Sequence, residues 1–401
     1  MSLLDKGTMI HGTFTPGFEP VANELASLLR AERVGGAAVC VYHRGQCVAD
    51  IWGGTRDSEG NPWKSETAAL SFSTTKGIVA TLAHRLADRA LLDYDQPVAR
   101  YWPEFADAGK ETITVREVLS HQAGLHSIRS LLNNAEQMLD WRAMTDALAA
   151  ARSFRDPAGR TGYHAITYGW IIGEVIRRVT GKSVNEALQS ELAGPLGLDG
   201  AEIGAGSMPR ERIATLLAPP TGLSPATRVV NLAVRGIWGL MGLDPMHARD
   251  ALLPDGLTEL LYSPRILDAE IPSLNGVFTA RSLARVYAML AGGGVLDGKR
   301  FLSESSIARA VEIQSAKRDL IIGLPMRWRL GFHFVGTTRG LLPDAFGHFG
   351  YGGSGAWADP ARQLAVAMTL NRVARSPLSD RRLLRISSTS VRCADIRKER
   401  P

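Results

Sequence analysis

The chain has 401 residues, 45% of them hydrophobic and 21% charged. This composition is typical of a soluble globular protein large enough for two structural units. No stretch approaches the roughly 18 consecutive apolar residues of a membrane span, and the start lacks the basic-then-apolar pattern of a secretory signal. These features predict a cytoplasmic protein without an integral membrane segment, and they leave peripheral membrane contact open.

The net charge of +6 belongs to the end of the chain. Residues 371–401 hold nine of the 46 Lys and Arg and three of the 40 Asp and Glu, so the rest of the chain is balanced. A basic face on the folded body is therefore not indicated, and we expect no nucleic-acid partner. The polar end itself is predicted to be solvated and frayed.

The first predicted elements are a helix, a hairpin and a second helix. Apolar residues at helical spacing predict a helix within 18–34, and residues 36–54 predict two strands joined by a tight turn at Arg44 and Gly45. Residues 75–91 follow as a helix with one apolar face.

The cysteines are few. Cys40 and Cys47 lie in the two strands of this hairpin and Cys393 lies near the end of the chain. An odd, low count argues against a disulfide framework, and we interpret the first two as small buried side chains facing each other across the hairpin.

The middle of the chain predicts three more helices. Thr114 caps a short helix that ends near Gly124, and residues 165–181 form a longer one. Ser183 and Glu186 have the spacing of a capping box, which begins the third.

The last third of the chain returns to strands. Residues 200–260 have the least regular pattern, and Thr279 then caps a helix that ends in glycines. Three strands are predicted within 330–336, 345–360 and 363–373.

This order of elements predicts an α+β fold. Strands at both chain ends, without regular βαβ alternation, favour a largely antiparallel sheet flanked by helices, with a large, mainly helical domain inserted. We place one domain at 1–72 with 276–401, the other at 73–275, and the active site in the cleft between them.

Ser73 and Lys76 supply the first candidate chemistry. Positions i and i+3 lie on one face of a helix, about 5–6 Å apart at Cβ, so the amine can reach the hydroxyl. A serine needs a base to become a nucleophile, and a partly buried lysine has the lowered pKa for that role. Ser73 is the only serine with a lysine three residues later. The alternative is a capping serine beside a surface lysine.

Several ordered stretches of the chain resemble the serine beta-lactamase and penicillin-binding superfamily, specifically the class C-like esterases called family VIII carboxylesterases. The similar stretches are 47–54, 71–86, 113–125, 162–181, 275–298 and 346–360. Their joint order is more specific than Ser-x-x-Lys alone. The resemblance implies a beta-lactamase-like fold and an acyl-enzyme mechanism without cofactor or metal.

The resemblance assigns further site residues. Tyr163 matches the tyrosine of the family's second motif, and beside a lysine ammonium its phenol would lose a proton more easily and shuttle it between Ser73 and the leaving group. His348, Phe349 and Gly350 match the third motif and are expected to bind substrate. The oxyanion hole would be formed by the backbone N–H groups of Ser73 and Tyr351.

Two departures from the family pattern point to an ester substrate. Relatives that open beta-lactams carry an asparagine at the position of Ala165 and often a lysine at that of His348, which bind an amide and a carboxylate. We therefore predict a serine hydrolase that cleaves small carboxylic esters with short to medium acyl chains. Beta-lactamase or peptidase activity, and a non-catalytic binding or assembly protein of this fold, are the alternatives.

Trp238 and Met241 are expected to line an acyl pocket, although packing within the helical domain explains them equally well.

A Ser-His-Asp hydrolase is disfavoured because no serine has the G-x-S-x-G frame. Ser354 comes nearest to it, and an extended strand would hold it about 20 Å from His348. The oligomeric state is left open.

Overall fold

The structure is a computed structural model, and it describes residues 3–5, 8–32, 35–219, 245–374 and 380–398. Its strands are β1 (Leu3–Asp5), β2 (Thr8–Phe14), β3 (Gly36–His43), β4 (Gln46–Gly54), β5 (Ala68–Leu70), β6 (Ala201–Ile203), β7 (Ile213–Ala214), β8 (Gly276–Phe278), β9 (Val295–Leu296), β10 (Lys299–Arg300), β11 (His333–Thr337), β12 (Gly340–Phe349), β13 (Gly355–Asp359) and β14 (Leu364–Leu370). Its α-helices are α1 (Glu19–Glu32), α2 (Thr74–Asp88), α3 (Val115–Leu119), α4 (Trp141–Ala150), α5 (Tyr168–Thr180), α6 (Val184–Leu188), α7 (Gly194–Leu196), α8 (Pro245–Leu252), α9 (Leu257–Tyr262), α10 (Ala280–Ala291), α11 (Glu304–Val311) and α12 (Arg382–Lys398).

Both ends of the chain build the main sheet. Its eight antiparallel strands run in the order β1-β2-β4-β3-β14-β13-β12-β11, so β3 from the first part of the chain pairs with β14 from the last. The sheet and its helices confirm the predicted α+β, beta-lactamase-like fold. The division into two domains at residues 72 and 275 stays a prediction.

Each face of the main sheet is covered by helices. Side chains alternate along β3, so Val39 packs with Leu25 of α1 and Ile386 of α12, whereas Cys40 faces the layer that contains Leu283 of α10. The second layer is continuous with the large helical core that holds α2 and α5. Among the described residues, no helix is long and apolar enough to cross a membrane.

The expectation of a frayed polar end is wrong for residues 382–398, which form the helix α12. The helix buries Leu383 and Cys393 against the sheet. Its serines are buried as well, and Ser387 Oγ accepts a hydrogen bond of 2.9 Å from Trp357 Nε1. The polar sequence misled the prediction because serine is small enough to pack between a helix and a sheet once its hydroxyl is hydrogen-bonded.

The predicted single strand within 345–360 is in fact the end of β12, a turn and then β13. Gly352 and Gly353 have φ values of +89° and +99°, a region that costs little for glycine alone. The turn they form places Tyr351 at the tip and reverses the chain beside the first turn of α2.

Local helix signals are confirmed. Ser183 forms the predicted capping box, the predicted cap Thr114 forms one with Glu117, and Thr279 caps α10 through the N–H of Ser282. The structure also contains a small second sheet of β6, β8, β5 and β7. Its strand β5 leads directly into α2 and thereby fixes where the opening turn of that helix lies.

Candidate active site

Ser73 stands at the junction between β5 and α2. It occupies the N-cap position, but its side chain makes no capping hydrogen bond, so the hydroxyl is not used in the structural role that the alternative interpretation required. The preceding Phe72 has φ +47°, a conformation that side chains rarely adopt. The N–H of Ser71 donates to the carbonyl of Gly276 in β8, which anchors this bend.

Lys76 is fully buried beneath Ser73. Its Nζ lies 3.0 Å from Ser73 Oγ, and it donates to the carbonyl oxygens of Ala165 at 2.6 Å and Ser273 at 2.8 Å. Burial lowers the pKa of Lys76 well below its ordinary value, because the charged form loses its hydration. A neutral amine would bind the two carbonyls with its two hydrogens and direct its lone pair at the serine hydroxyl.

Tyr163 joins the same cluster from the segment before α5. Lys76 Nζ lies 5.1 Å from the centre of its ring. Burial raises the pKa of Tyr163, the nearby Ser73 side chain lowers it and the charge of Asp319 raises it, with a net increase. The expected lowering of this pKa by a lysine ammonium is therefore not what the surroundings produce, and Tyr163 is a neutral phenol here.

Two residues that no sequence pattern selected contact Tyr163 or the residue that supports it. The indole of Trp328 stacks on Tyr163, with ring centres 5.3 Å apart and planes 11° apart. Asp319, which is buried, accepts a hydrogen bond from Trp328 Nε1 at 3.0 Å. Both lie more than 150 positions from Tyr163 in a stretch without a recognisable pattern, so only the folded chain brings them together.

His348 lies on the side of β12 that faces the catalytic cluster. Its ring centre is 6.2 Å from that of Tyr163, and its Nε2 has no hydrogen-bond partner among the described residues. Burial lowers the pKa of His348 well below its ordinary value, and nearby His333 and Lys76 lower it further. The imidazole is therefore neutral, as predicted, and its Nε2 is buried.

Phe349 does not take the position expected of a substrate-binding side chain. Strand residues alternate between the two faces, and Phe349 packs against the core on the side of α1 and α12. Only its backbone lies next to the cluster. Gly350 fits the expectation better, because a Cβ there would stand 2.3 Å from the carbonyl oxygen of Ser71, so the end of β12 meets the start of α2 backbone to backbone.

Tyr351 lies at the tip of the turn, against the residue that precedes Ser73. Its ring is half exposed and contacts Phe72 edge-on, with ring centres 5.7 Å apart. Among the described residues, no acceptor takes a hydrogen bond from the backbone N–H of Ser73 or of Tyr351. Two backbone donors, one at the start of α2 and one in the turn after β12, are thus without a partner in the described part of the chain.

The remaining candidates are the two proposed pocket residues and Ser354. Trp238 and Met241 lie outside the described residues. The chain does bend between His348 and Ser354, but Ser354 Oγ donates to the carbonyl of Ser71 at 2.9 Å and lies 3.4 Å from Thr74 Oγ1. This buried serine is committed to the bend before α2, so the described contacts give it no histidine partner.

Comparisons with known proteins find relatives that match most of the chain. A family model described as Beta-lactamase matches residues 21–389. The esterase/beta-lactamase LipL of Mycobacterium tuberculosis is 39% identical over 379 residues, 93% of this chain and 85% of LipL. A solved family VIII carboxylesterase is 34% identical with a TM-score of 0.82, covering 96% of this chain and 99% of that one. A penicillin-binding protein homolog from Caulobacter crescentus is 33% identical with a TM-score of 0.78, covering 95% and 99%.

Proposed function

This chain belongs to the beta-lactamase family, and from that premise we propose that it is a carboxylesterase that cleaves carboxylic esters through an acyl-enzyme on Ser73. The observation that carries the proposal is the convergence of a hydroxyl, an amine and a phenol: Lys76 Nζ lies 3.0 Å from Ser73 Oγ and 5.1 Å from the ring centre of Tyr163, whose pKa the nearby Ser73 side chain lowers. The solved carboxylesterase and LipL, which are similar over most of the chain, support the assignment.

Acylation begins with Lys76. Its lowered pKa makes it the base of the pair, whereas the raised pKa of Tyr163 makes the phenol a proton donor. Lys76 takes the proton from Ser73 Oγ as the oxygen attacks the ester carbonyl. Tyr163 gives its proton to the departing alkoxide and is reprotonated from Lys76, so the alcohol leaves neutral.

Deacylation uses the same groups in reverse. A water molecule enters where the alcohol left, and the Tyr163–Lys76 pair removes its proton as it attacks the acyl carbon. Ser73 then recovers its proton and the carboxylic acid leaves. In both half-reactions the negative charge develops beside the N–H groups of Ser73 and Tyr351, and two fixed donors at such an oxygen are commonly a large part of the rate.

An ester fits the rest of the cleft better than a beta-lactam does. Ala165 offers no side-chain amide, and its carbonyl is occupied by Lys76. His348 is neutral and is therefore a weak partner for a carboxylate. An ester needs neither an amide partner nor a carboxylate anchor.

The test compares wild type with Ser73→Ala on a short-chain nitrophenyl ester, with Ser58→Ala, at an exposed turn serine, as the matched control. We expect Ser73→Ala to lose at least about 1,000-fold in kcat/KM, and the control to lose nothing. Equal rates for wild type and Ser73→Ala would remove the mechanism.

Two further substrates define the reaction class. A chromogenic cephalosporin should be turned over far more slowly than the ester, and the reverse order would favour a beta-lactamase. A series of esters of increasing acyl length then measures the chain-length preference, for which we propose short to medium chains.

A further inference from the structure

Asp319 is a buried carboxylate at the centre of five donated hydrogen bonds. One oxygen, Oδ1, accepts from the backbone N–H groups of Tyr163 at 3.3 Å, Ile321 at 2.9 Å and Ile322 at 3.0 Å. The other, Oδ2, accepts from Thr161 Oγ1 at 2.8 Å and Trp328 Nε1 at 3.0 Å. Four of the partners can only donate, and the Thr161 hydroxyl can do so as well, so the bonds favour the carboxylate form. Burial raises the pKa of Asp319, and the bonds from Ile322, Ile321, Thr161 and Trp328 counter part of that increase.

Asp319 reaches Tyr163 by two routes. The first is the direct bond from the backbone N–H of Tyr163. The second runs through Trp328, whose Nε1–H is fixed by Asp319 while its ring stacks on the phenol ring at 5.3 Å. One route fixes the backbone of the tyrosine and the other fixes the plane of its ring, which together direct the hydroxyl toward Ser73.

We propose that Asp319 is a positioning residue for the proton donor of this enzyme: with Trp328 it holds the phenol of Tyr163 at Ser73. The proposal rests on the proposed function, because it assigns Asp319 no contact with substrate and gives it an effect only through Tyr163.

The charge of Asp319 also supports this role. It adds to burial in raising the pKa of Tyr163, and so keeps the phenol protonated and able to donate to a departing alkoxide. An amide in place of the carboxylate would remove that charge. The asparagine NH2 group would also face hydrogen-bond donors, where Asp319 now has an oxygen that accepts from them.

The experiment is a double-mutant cycle of Asp319→Asn and Tyr163→Phe with a nitrophenyl ester. Asp319→Asn alone should lower kcat by about 10- to 100-fold, a loss typical of a misplaced catalytic group, and leave KM within about twofold. In the Tyr163→Phe background it should cause no further loss, because its effect passes through the phenol.

Asp359→Asn is the matched control. Asp359 is another buried carboxylate, bonded to Arg362 at 2.8 Å, and its loss should lower the unfolding temperature without changing kcat. Trp328→Phe is the second variant; it keeps a ring but loses the bond to Asp319, so it should lower kcat even if Asp319→Asn does not fold.

The outcomes separate the two proposals. If Tyr163→Phe keeps the wild-type rate, the role of the phenol fails and the positioning role fails with it. If Tyr163→Phe is impaired but Asp319→Asn and Trp328→Phe are not, only the positioning role is overturned. The positioning role is also overturned if adding Asp319→Asn to Tyr163→Phe lowers kcat further.

A separate observation concerns the two thiols of the β3–β4 hairpin. Cys40 Sγ and Cys47 Sγ lie 3.9 Å apart. The pairing of β3 and β4 is irregular beside Tyr42, which opposes Cys47 directly. Cys40 is buried as predicted, but the prediction is wrong for Cys47, which is exposed to solvent. The Cys47 thiol is therefore the one that a reagent can reach.

We infer that Cys40 and Cys47 form an oxidisable dithiol that closes to a disulfide by exchange with a small-molecule disulfide such as glutathione disulfide. The Cys47 thiolate attacks one sulfur of the reagent, forming a mixed disulfide and releasing one thiolate. The Cys40 sulfur then attacks the Cys47 sulfur of the mixed disulfide and expels the second reagent thiolate. That thiolate takes the Cys40 proton. Two protein thiols are oxidised and one reagent disulfide is reduced. The hydrogen bond with Cys40 lowers the pKa of Cys47, which favours Cys47 as the first attacker.

The test treats the native protein with glutathione disulfide and counts thiols after denaturation. The chain has three cysteines, and we expect one free thiol to remain, Cys393, with a Cys40–Cys47 crosslink in the peptide map. Cys47→Ser should retain both of its thiols. Three remaining thiols in wild type, or a stable glutathione adduct on Cys47 with Cys40 still reduced, would overturn the inference.

Discussion

Lys76 Nζ donates to the carbonyl oxygen of Ser273 at 2.8 Å, although the two residues are 197 positions apart. A second carbonyl, that of Ala165, holds the amine from another segment. The base is thus fixed by the backbone of two distant loops as well as by its own helix. This arrangement leaves it little freedom except toward Ser73.

Replacing Lys76 with alanine should slow acylation steeply while leaving substrate access unchanged. Without the amine, Ser73 Oγ loses the base that lies 3.0 Å away, and general-base assistance of about 100- to 10,000-fold is lost. Burst kinetics with a nitrophenyl ester measure the acylation rate directly. Lys299→Ala, at an exposed lysine of β10, is the control, and a normal burst in Lys76→Ala would contradict the role assigned to Lys76.

The pH dependence of kcat/KM should show an acid limb set by Lys76. Only the neutral amine accepts a proton, so activity falls as the pH falls through the lowered pKa of Lys76. The pKa of Tyr163 is raised, so the phenol remains protonated through neutral and mildly alkaline pH and activity should not decline there. If kcat/KM instead declined as the pH rose above neutral, the ammonium form of Lys76 would be required.

Gly350→Ala should damage both activity and stability. The new Cβ would lie 2.3 Å from the carbonyl oxygen of Ser71 and 2.5 Å from Ser354 Oγ, so β12 must move away from α2. We expect a loss of about 1–3 kcal/mol in the free energy of unfolding and a lower kcat. Gly336→Ala is the control, because a Cβ there has only ordinary contacts from 3.6 Å. Chemical denaturation measures the free energy of unfolding, and ester hydrolysis measures kcat. If Gly350→Ala and Gly336→Ala gave the same values, the close approach of Gly350 to Ser71 would be contradicted.

Ser387→Ala should separate stability from activity. It removes the acceptor of Trp357 Nε1, and an unsatisfied buried donor costs about 1–3 kcal/mol. The bond lies on the α12 side of the sheet, away from Ser73, so kcat should not change. Ser390→Ala, which loses only a bond to the carbonyl of Ile386 in its own helix, should cost less. Denaturant titration gives the comparison, and an undiminished free energy of unfolding in Ser387→Ala would show that α12 does not depend on this contact.

The sequence was most informative where neighbours in the chain are neighbours in space. The capping residues Thr114, Ser183 and Thr279 occupy the predicted positions, because a cap depends on groups only two or three residues away. The same locality paired Ser73 with Lys76 on one turn of α2. Tyr163 was selected by a motif of the family and not by its spacing.

By itself, then, the sequence determined the nucleophile–lysine pair, the helix starts and the antiparallel sheet built from both chain ends. The tertiary structure alone decided which face of β12 each motif residue occupies, so that His348 faces the cluster and Phe349 does not. It also decided that Asp319 and Trp328 surround Tyr163 and that the polar final residues form α12. These features depend on burial and on hydrogen bonds between distant segments, and such contacts have no fixed spacing along the chain from which they could be predicted.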